Sequence, residues 1–131
     1  MKLITKKTDY AIRAFCYMAK EGKITPVTEL VDNLKIPKPF LRGILQELEK
    51  NKMVKSFKGR GGGFKLAKSP DKIFLTQLIR IFQGPIKLTE CTIRKKTCPD
   101  VTTCLVKKKM EHISRYIASE LEPITIDSLL Y

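Results

Sequence analysis

Cys91, Cys98 and Cys104 lie within 14 residues, with six residues in the first gap and five in the second. Thiolates this concentrated can converge on one metal centre, either an iron–sulfur cluster or zinc. Zinc would add a histidine, and the one histidine is His112. It falls eight residues past Cys104, roughly 12 Å along the axis of a helix rising about 1.5 Å per residue. A shared site would require that helix to begin late. Three unrelated thiols are the remaining alternative on spacing alone. The fourth cysteine, Cys16, sits in the apolar face of TDYAIRAFCYMAK and is expected to be a buried core thiol.

A second group of residues suits a different chemistry. Lys38, Arg42, Gln46 and Lys50 recur at helical spacing. Lys58-Gly59-Arg60-Gly61-Gly62-Gly63 places two cations in a loop without bulk. Cations on one helical face beside a basic, glycine-rich tip can meet a polyanion, the helix in a major groove and the tip against phosphates or in a minor groove.

The elements that position these groups are legible in residues 26–66. Pro26 suits a first helical turn, with Thr25 as N-cap, and Leu30, Val31 and Leu34 form one apolar stripe. Pro37 opens a second helix whose buried face is Leu41, Ile44, Leu45 and Leu48. Residues 53–57 and 64–66 alternate as short strands around the glycine tip. The order is helix, turn, helix and β-hairpin wing. Before it, residues 8–20 read as a helix. After it, residues 67–74 are a connector and residues 75–83 a short helix stopped by Gly84-Pro85. Residues 85–104 have little periodicity, and a loop of that length is usually functional. Val106, Met110, Ile113 and Ile117 then recur on one helical stripe, suited to packing on a partner helix. Glu122-Pro123 ends that helix, and ITIDSLLY is expected to add a short ordered piece. The fold class expected is mainly α with a small β wing: a winged helix-turn-helix over 1–84, a cysteine-bearing loop over 85–104, and a dimerisation helix and tail over 105–131.

The 131 residues carry a formal charge of +13, unevenly distributed. Residues 1–70 hold 16 Lys or Arg against 6 Asp or Glu, whereas residues 71–131 hold 10 against 7. The excess sits on the winged-helix part, the footprint of a nucleic-acid binder. No segment joins a lysine face to large exposed aromatics as a membrane-surface helix would. No run has the length of a membrane span, and the start lacks a signal-peptide core, so a cytoplasmic protein with reduced thiols is expected. One histidine, no phosphate-cradling motif and no evident carboxylate pair argue against an enzyme with a small-molecule substrate.

The chain resembles the Rrf2 family of bacterial transcription regulators. The resemblance spans nearly its whole length and rests on MKLITKKTDYAIRAF, LEKNKMVKSFKGRGGGFKLAKSP, the three-cysteine loop and ITIDSLL. It implies a homodimeric winged-helix repressor or activator of double-stranded DNA. It also implies an iron–sulfur cluster (2Fe-2S or 4Fe-4S) sensing redox state, nitric oxide or iron supply. The alternative is a cluster-free or zinc-binding, thiol-responsive regulator. Three family ligands fall on Cys91, Cys98 and Cys104. IscR-like members have a histidine where this chain has Lys107. NsrR-like members use an aspartate from the other subunit, and the matching position is Asp9. Glu90 and His112 are next in line. For DNA the resemblance implies Thr28, Lys38, Pro39, Arg42, Ser56, Lys58, Arg60 and Gly61. Arg42 replaces the acidic position that tunes sequence choice in IscR-like members, and Lys58 matches the family's minor-groove arginine.

Overall fold

Thr5 opens the first helix, its hydroxyl accepting from the Thr8 N–H at 3.4 Å, and α1 runs over Lys6–Glu21. Its inward residues Ala11, Ala14, Phe15 and Met18 follow helical spacing and are buried. Cys16 differs from expectation: it is partly buried at the core margin, because it lies one position off the centre of that stripe. The computed structural model describes residues 3–86 and 105–130. The cysteine loop, apart from its first two residues, lies outside the described residues, as do Cys91, Cys98, Cys104 and Glu90.

The helix-turn-helix comprises α2 (Val27–Leu34) and α3 (Lys38–Lys50). Leu30 of α2 and Leu41, Ile44, Leu45 and Leu48 of α3 are fully buried, each worth about 1.5–3 kcal/mol of transfer free energy. Ile36 in the turn between them is also buried. Asn51 ends α3, and the chain enters β1 (Val54–Phe57), which pairs antiparallel with β2 (Gly63–Leu66). The register sets Val54 opposite Leu66 and Ser56 opposite Phe64. The structure is thus mainly helical with a two-stranded wing.

Thr25 does not cap α2; Pro26 occupies that position and makes no side-chain cap bond. Thr25 is instead fully buried, bridging to the wing. Its N–H donates to the Phe64 carbonyl at 2.8 Å, and the Phe64 N–H donates back to the Thr25 carbonyl at 2.9 Å. Two backbone bonds outweigh one cap bond, worth about 1 kcal/mol. The approach is so close that a Cβ on Gly63 would collide with the Thr25 carbonyl.

A 3₁₀ turn at Pro70–Lys72 leads to α4 (Leu75–Gln83). The Gln77 carboxamide accepts the Phe74 N–H at 3.0 Å, closing its first turn. At the other end Gln83 clasps the N-terminal segment. Its Oε1 accepts from the Thr5 N–H and its Nε2 donates to the Leu3 carbonyl, each at 2.9 Å. The long helix α5 spans Leu105–Leu121 and buries none of its side chains. The tail then returns to the head. The Leu75 N–H donates to the Ile124 carbonyl and the Ile126 N–H to the Ile73 carbonyl, both at 2.9 Å. Ile126 and Ile73 are fully buried within the same core as Phe15 and Leu45.

That docking makes a tail residue part of the core shared by α1 and the helix-turn-helix. Ile126→Ala is expected to cost about 2–5 kcal/mol by leaving a cavity. Urea unfolding followed by circular dichroism checks this, and a loss below about 0.5 kcal/mol, the range of surface substitutions, would mean the tail is not docked in solution.

Candidate nucleic-acid interface

The outward side of α3 is set by its buried side. With Leu41, Ile44, Leu45 and Leu48 inward, Lys38, Pro39, Arg42, Gly43, Gln46 and Lys50 are exposed. Thr28, the second residue of α2, is exposed as well. Lys58, Arg60 and Gly61 are exposed at the wing tip, where the Gly62 N–H donates to the Gly59 carbonyl at 3.0 Å and closes the loop. Among the described residues the ion pairs are Arg13–Asp9, Lys23–Glu21 and Lys107–Glu111. None involves a cation of α3 or the wing. These charges therefore remain uncompensated and act over a screening length of about 8–10 Å in physiological salt.

Ser56 is partly buried, and its hydroxyl donates to the Glu49 carboxylate at 2.7 Å. This bond joins the last turn of α3 to β1. The role of Glu49 was not read from the sequence. The available signal was an acidic residue seven positions before a serine, on a surface otherwise basic.

Asp9 lies in the first turn of α1, and its carboxylate meets the Arg13 guanidinium at 3.0 Å. Both side chains are substantially exposed, at 43% and 59%. The neighbouring Tyr10 meets Phe40 of α3 edge-on, with ring centroids 5.4 Å apart, while the Lys6 ammonium lies 5.6 Å from the Tyr10 centroid. Lys7 similarly approaches Phe82 at 5.8 Å. One turn of α1 thus touches the start of α3 on one side and the end of α4 on the other. Those contacts, and the Gln83 clasp, were also missed in the sequence because they join residues far apart in it.

The remaining candidate donors are sorted by environment. Burial pushes the Cys16 thiol above its ordinary value, with Lys20 pulling weakly the other way. Cys16 stays protonated near neutral pH and is a poor ligand. Lys107 reaches Glu111 at 3.9 Å across one turn of α5. His112 is exposed on the same helix. Among the candidate donors, Asp9 is thus a partly exposed carboxylate paired with a surface cation.

The sequence profile of the Rrf2 family, described as an iron-dependent transcriptional regulator, matches residues 4–131. A protein of Aquifex aeolicus (strain VF5), named as an HTH-type transcriptional regulator, is 35% identical over 124 residues, covering 92% of this chain and 86% of its own. The HTH-type transcriptional regulator NsrR of Shouchella clausii (strain KSM-K16) is 28% identical over 130 residues, covering 97% and 87%. The structure of CymR, the global cysteine regulator of B. subtilis, is similar with a TM-score of 0.82. That match covers 99% of this chain and 97% of the other, at 22% identity, and is a likeness of fold.

The Asp9–Arg13 pair is an exposed i,i+4 contact. Arg13→Ala is expected to change the unfolding free energy by no more than about 0.5 kcal/mol, measured by urea denaturation. A larger loss would show that Asp9 is engaged structurally rather than held loosely.

Proposed function

The chain belongs to the Rrf2 family of transcriptional regulators, which are not enzymes, and from that premise we propose that it acts as a homodimer on duplex DNA, switched by an iron–sulfur cluster. The observation that carries the DNA part is the uncompensated cationic surface shared by α3 and the wing. Arg42 is suited to a bidentate contact with guanine O6 and N7. Lys38 and Thr28 flank the groove, and Pro39 lies at its centre. Lys58, Arg60 and Gly61 meet the backbone or minor groove, and Ser56 steadies the wing through Glu49. The head is 1–84, the cysteine segment 85–104, and the dimerisation part 105–131. Support for the dimer comes from α5, where Leu105 and Val106 are 74% and 65% exposed and Ile113 is 40% exposed. Among the described residues no helix is long and apolar enough to cross a membrane.

Cys91, Cys98 and Cys104 would supply the soft thiolates, and Asp9 of the partner subunit would supply a hard, exchangeable fourth ligand. The donor chemistry of the described residues fits this assignment. Cys16 is protonated, Lys107 is paired with Glu111, and Asp9 is accessible beside a surface arginine. When bound, such a group supplies a centre sensitive to oxidants, nitric oxide and iron supply. Ligation by Asp9 would release Arg13 and pull on the first turn of α1. Tyr10, adjacent to Asp9, would pass that pull to Phe40 at the start of α3. Two positions of the recognition helices, biased by ligation, constitute the switch. The description of the family as iron-dependent favours this reading. The alternative is that the same thiols respond without a cluster or bind zinc.

Anaerobic reconstitution separates the two. The protein is expected to gain visible absorption with bound iron and sulfide, and replacing any of Cys91, Cys98 or Cys104 by Ala is expected to abolish it. Cys16→Ala should leave the spectrum intact, whereas Asp9→Ala should keep the colour but alter its lifetime in air. A colourless protein with stoichiometric zinc would overturn the cluster.

DNA binding is tested independently by a salt series. If each subunit neutralises about four phosphates, log affinity should fall against log salt with a slope of roughly −7 for the dimer. A slope near zero in band-shift measurements would remove the DNA reading.

A further inference from the structure

We propose that Lys35 anchors the turn entering α3 on a backbone phosphate of the duplex and so positions the recognition helix; this rests on reading α3 as the element that enters the major groove. The first observation is conformational. Among the described residues five glycines take positive φ, where a residue without Cβ meets little steric cost. Two residues with side chains do the same, and both are lysines: Lys35 at φ 56° and Lys52 at φ 60°. Lys35 ends α2 as Gly22 ends α1. Its backbone is left-handed, and its N–H donates to the Val31 carbonyl at 3.0 Å, as the Gly22 N–H donates to the Met18 carbonyl at 3.0 Å. Glycine would close this cap without strain, whereas lysine strains it. The Lys35 side chain therefore needs a role of its own.

The dipole of α2 does not supply that role. A cation could face the dipole from helical backbone in the last turn, yet no basic residue stands there, and Asp32, of the opposing sign, does. Nor does an ion pair: Lys35 is exposed, and none of the pairs among the described residues includes it. Its place identifies the partner. Ile36 next to it is buried in the core, and the exposed cations Lys38 and Arg42 follow on α3. Lys35 carries that cationic series back across the turn. In helix-turn-helix docking the first helix crosses the DNA backbone and the second enters the groove. The turn between them meets the strand at the groove's edge, where phosphates are the groups presented. A compact ammonium on a flexible stem suits a point contact with one phosphate. Lys52 differs, since it follows the far end of α3 and lines a depression together with the carboxylate-bearing Glu49.

The test uses the full-length protein with a duplex selected from a randomised pool and a random duplex of equal length, each in a salt series. Lys35→Gln and Lys35→Gly remove one cation from each subunit of the dimer. The slope of log affinity against log salt should become shallower by about 2 on both duplexes, at about 0.9 per phosphate contact. Lys35→Arg should keep the wild-type slope. Lys52→Gly removes the same charge away from the proposed contact and should keep it too. The urea midpoint of Lys35→Gly should equal or exceed that of the wild type, because strain leaves with the side chain, and this separates a lost contact from lost folding. The proposal is overturned if either neutral variant at residue 35 keeps the wild-type slope, or if its loss is confined to the selected duplex. It is also overturned if Lys52→Gly flattens the slope equally. A wild type whose slope is near zero overturns the DNA reading itself, and this inference with it.

Discussion

The paired hydrogen bonds between Thr25 and Phe64 are the constraint on which the head depends. An isolated two-stranded hairpin is marginal in water. Here β2 gains a second backbone partner from the segment entering α2, so the wing and the helix-turn-helix become one body. The contact forces glycine at residue 63 and buries Thr25 completely. Glu49 and Ser56 add a second tie from the far end of α3. With both in place, the cations at the wing tip keep a set distance from Arg42. In the proposed DNA complex that fixed spacing would spare the conformational entropy that freely moving cations lose on binding.

A basic surface of this kind costs stability through self-repulsion, and ion pairing could relieve it. The head leaves it unrelieved. Its described ion pairs lie on α1 and at the end of α1, and a third lies on α5; none involves a cation of α3 or the wing. Glu47 and Glu49 interrupt the positive charge only on the later turns of α3. The cations without a nearby carboxylate on their own turn are thus those at the start of α3 and at the wing tip.

How much of this was legible in the sequence follows from the range of each interaction. The buried stripes of α1, α3 and α4 repeat every three or four residues, so periodicity located them. The glycine run announced the wing because tight loops need that residue type. Thr25 was misread as a cap because its true partner lies 39 positions away. Ile126 was legible only as part of an ordered tail; nothing local marks it as a core residue. The Gln83 clasp spans 78 positions and was invisible for the same reason. The candidate metal ligands were read from cysteine spacing and family likeness. Of those ligands the structure describes Asp9, which it places in the first turn of α1, while the three cysteines lie outside the described residues.

The return of the tail to the head bears on how the protein is made. Chains fold from the N-terminus as they emerge from the ribosome, domain by domain. Here residues 1–84 emerge first, yet the core they build also includes Ile126, whose N–H donates to the Ile73 carbonyl. A nascent chain, or one broken off before residue 126, carries the cationic surface without the packing that orders it. Such fragments populate unfolded states that cellular proteases remove. The core of the head is therefore complete only after synthesis has passed α5 and reached Ile126.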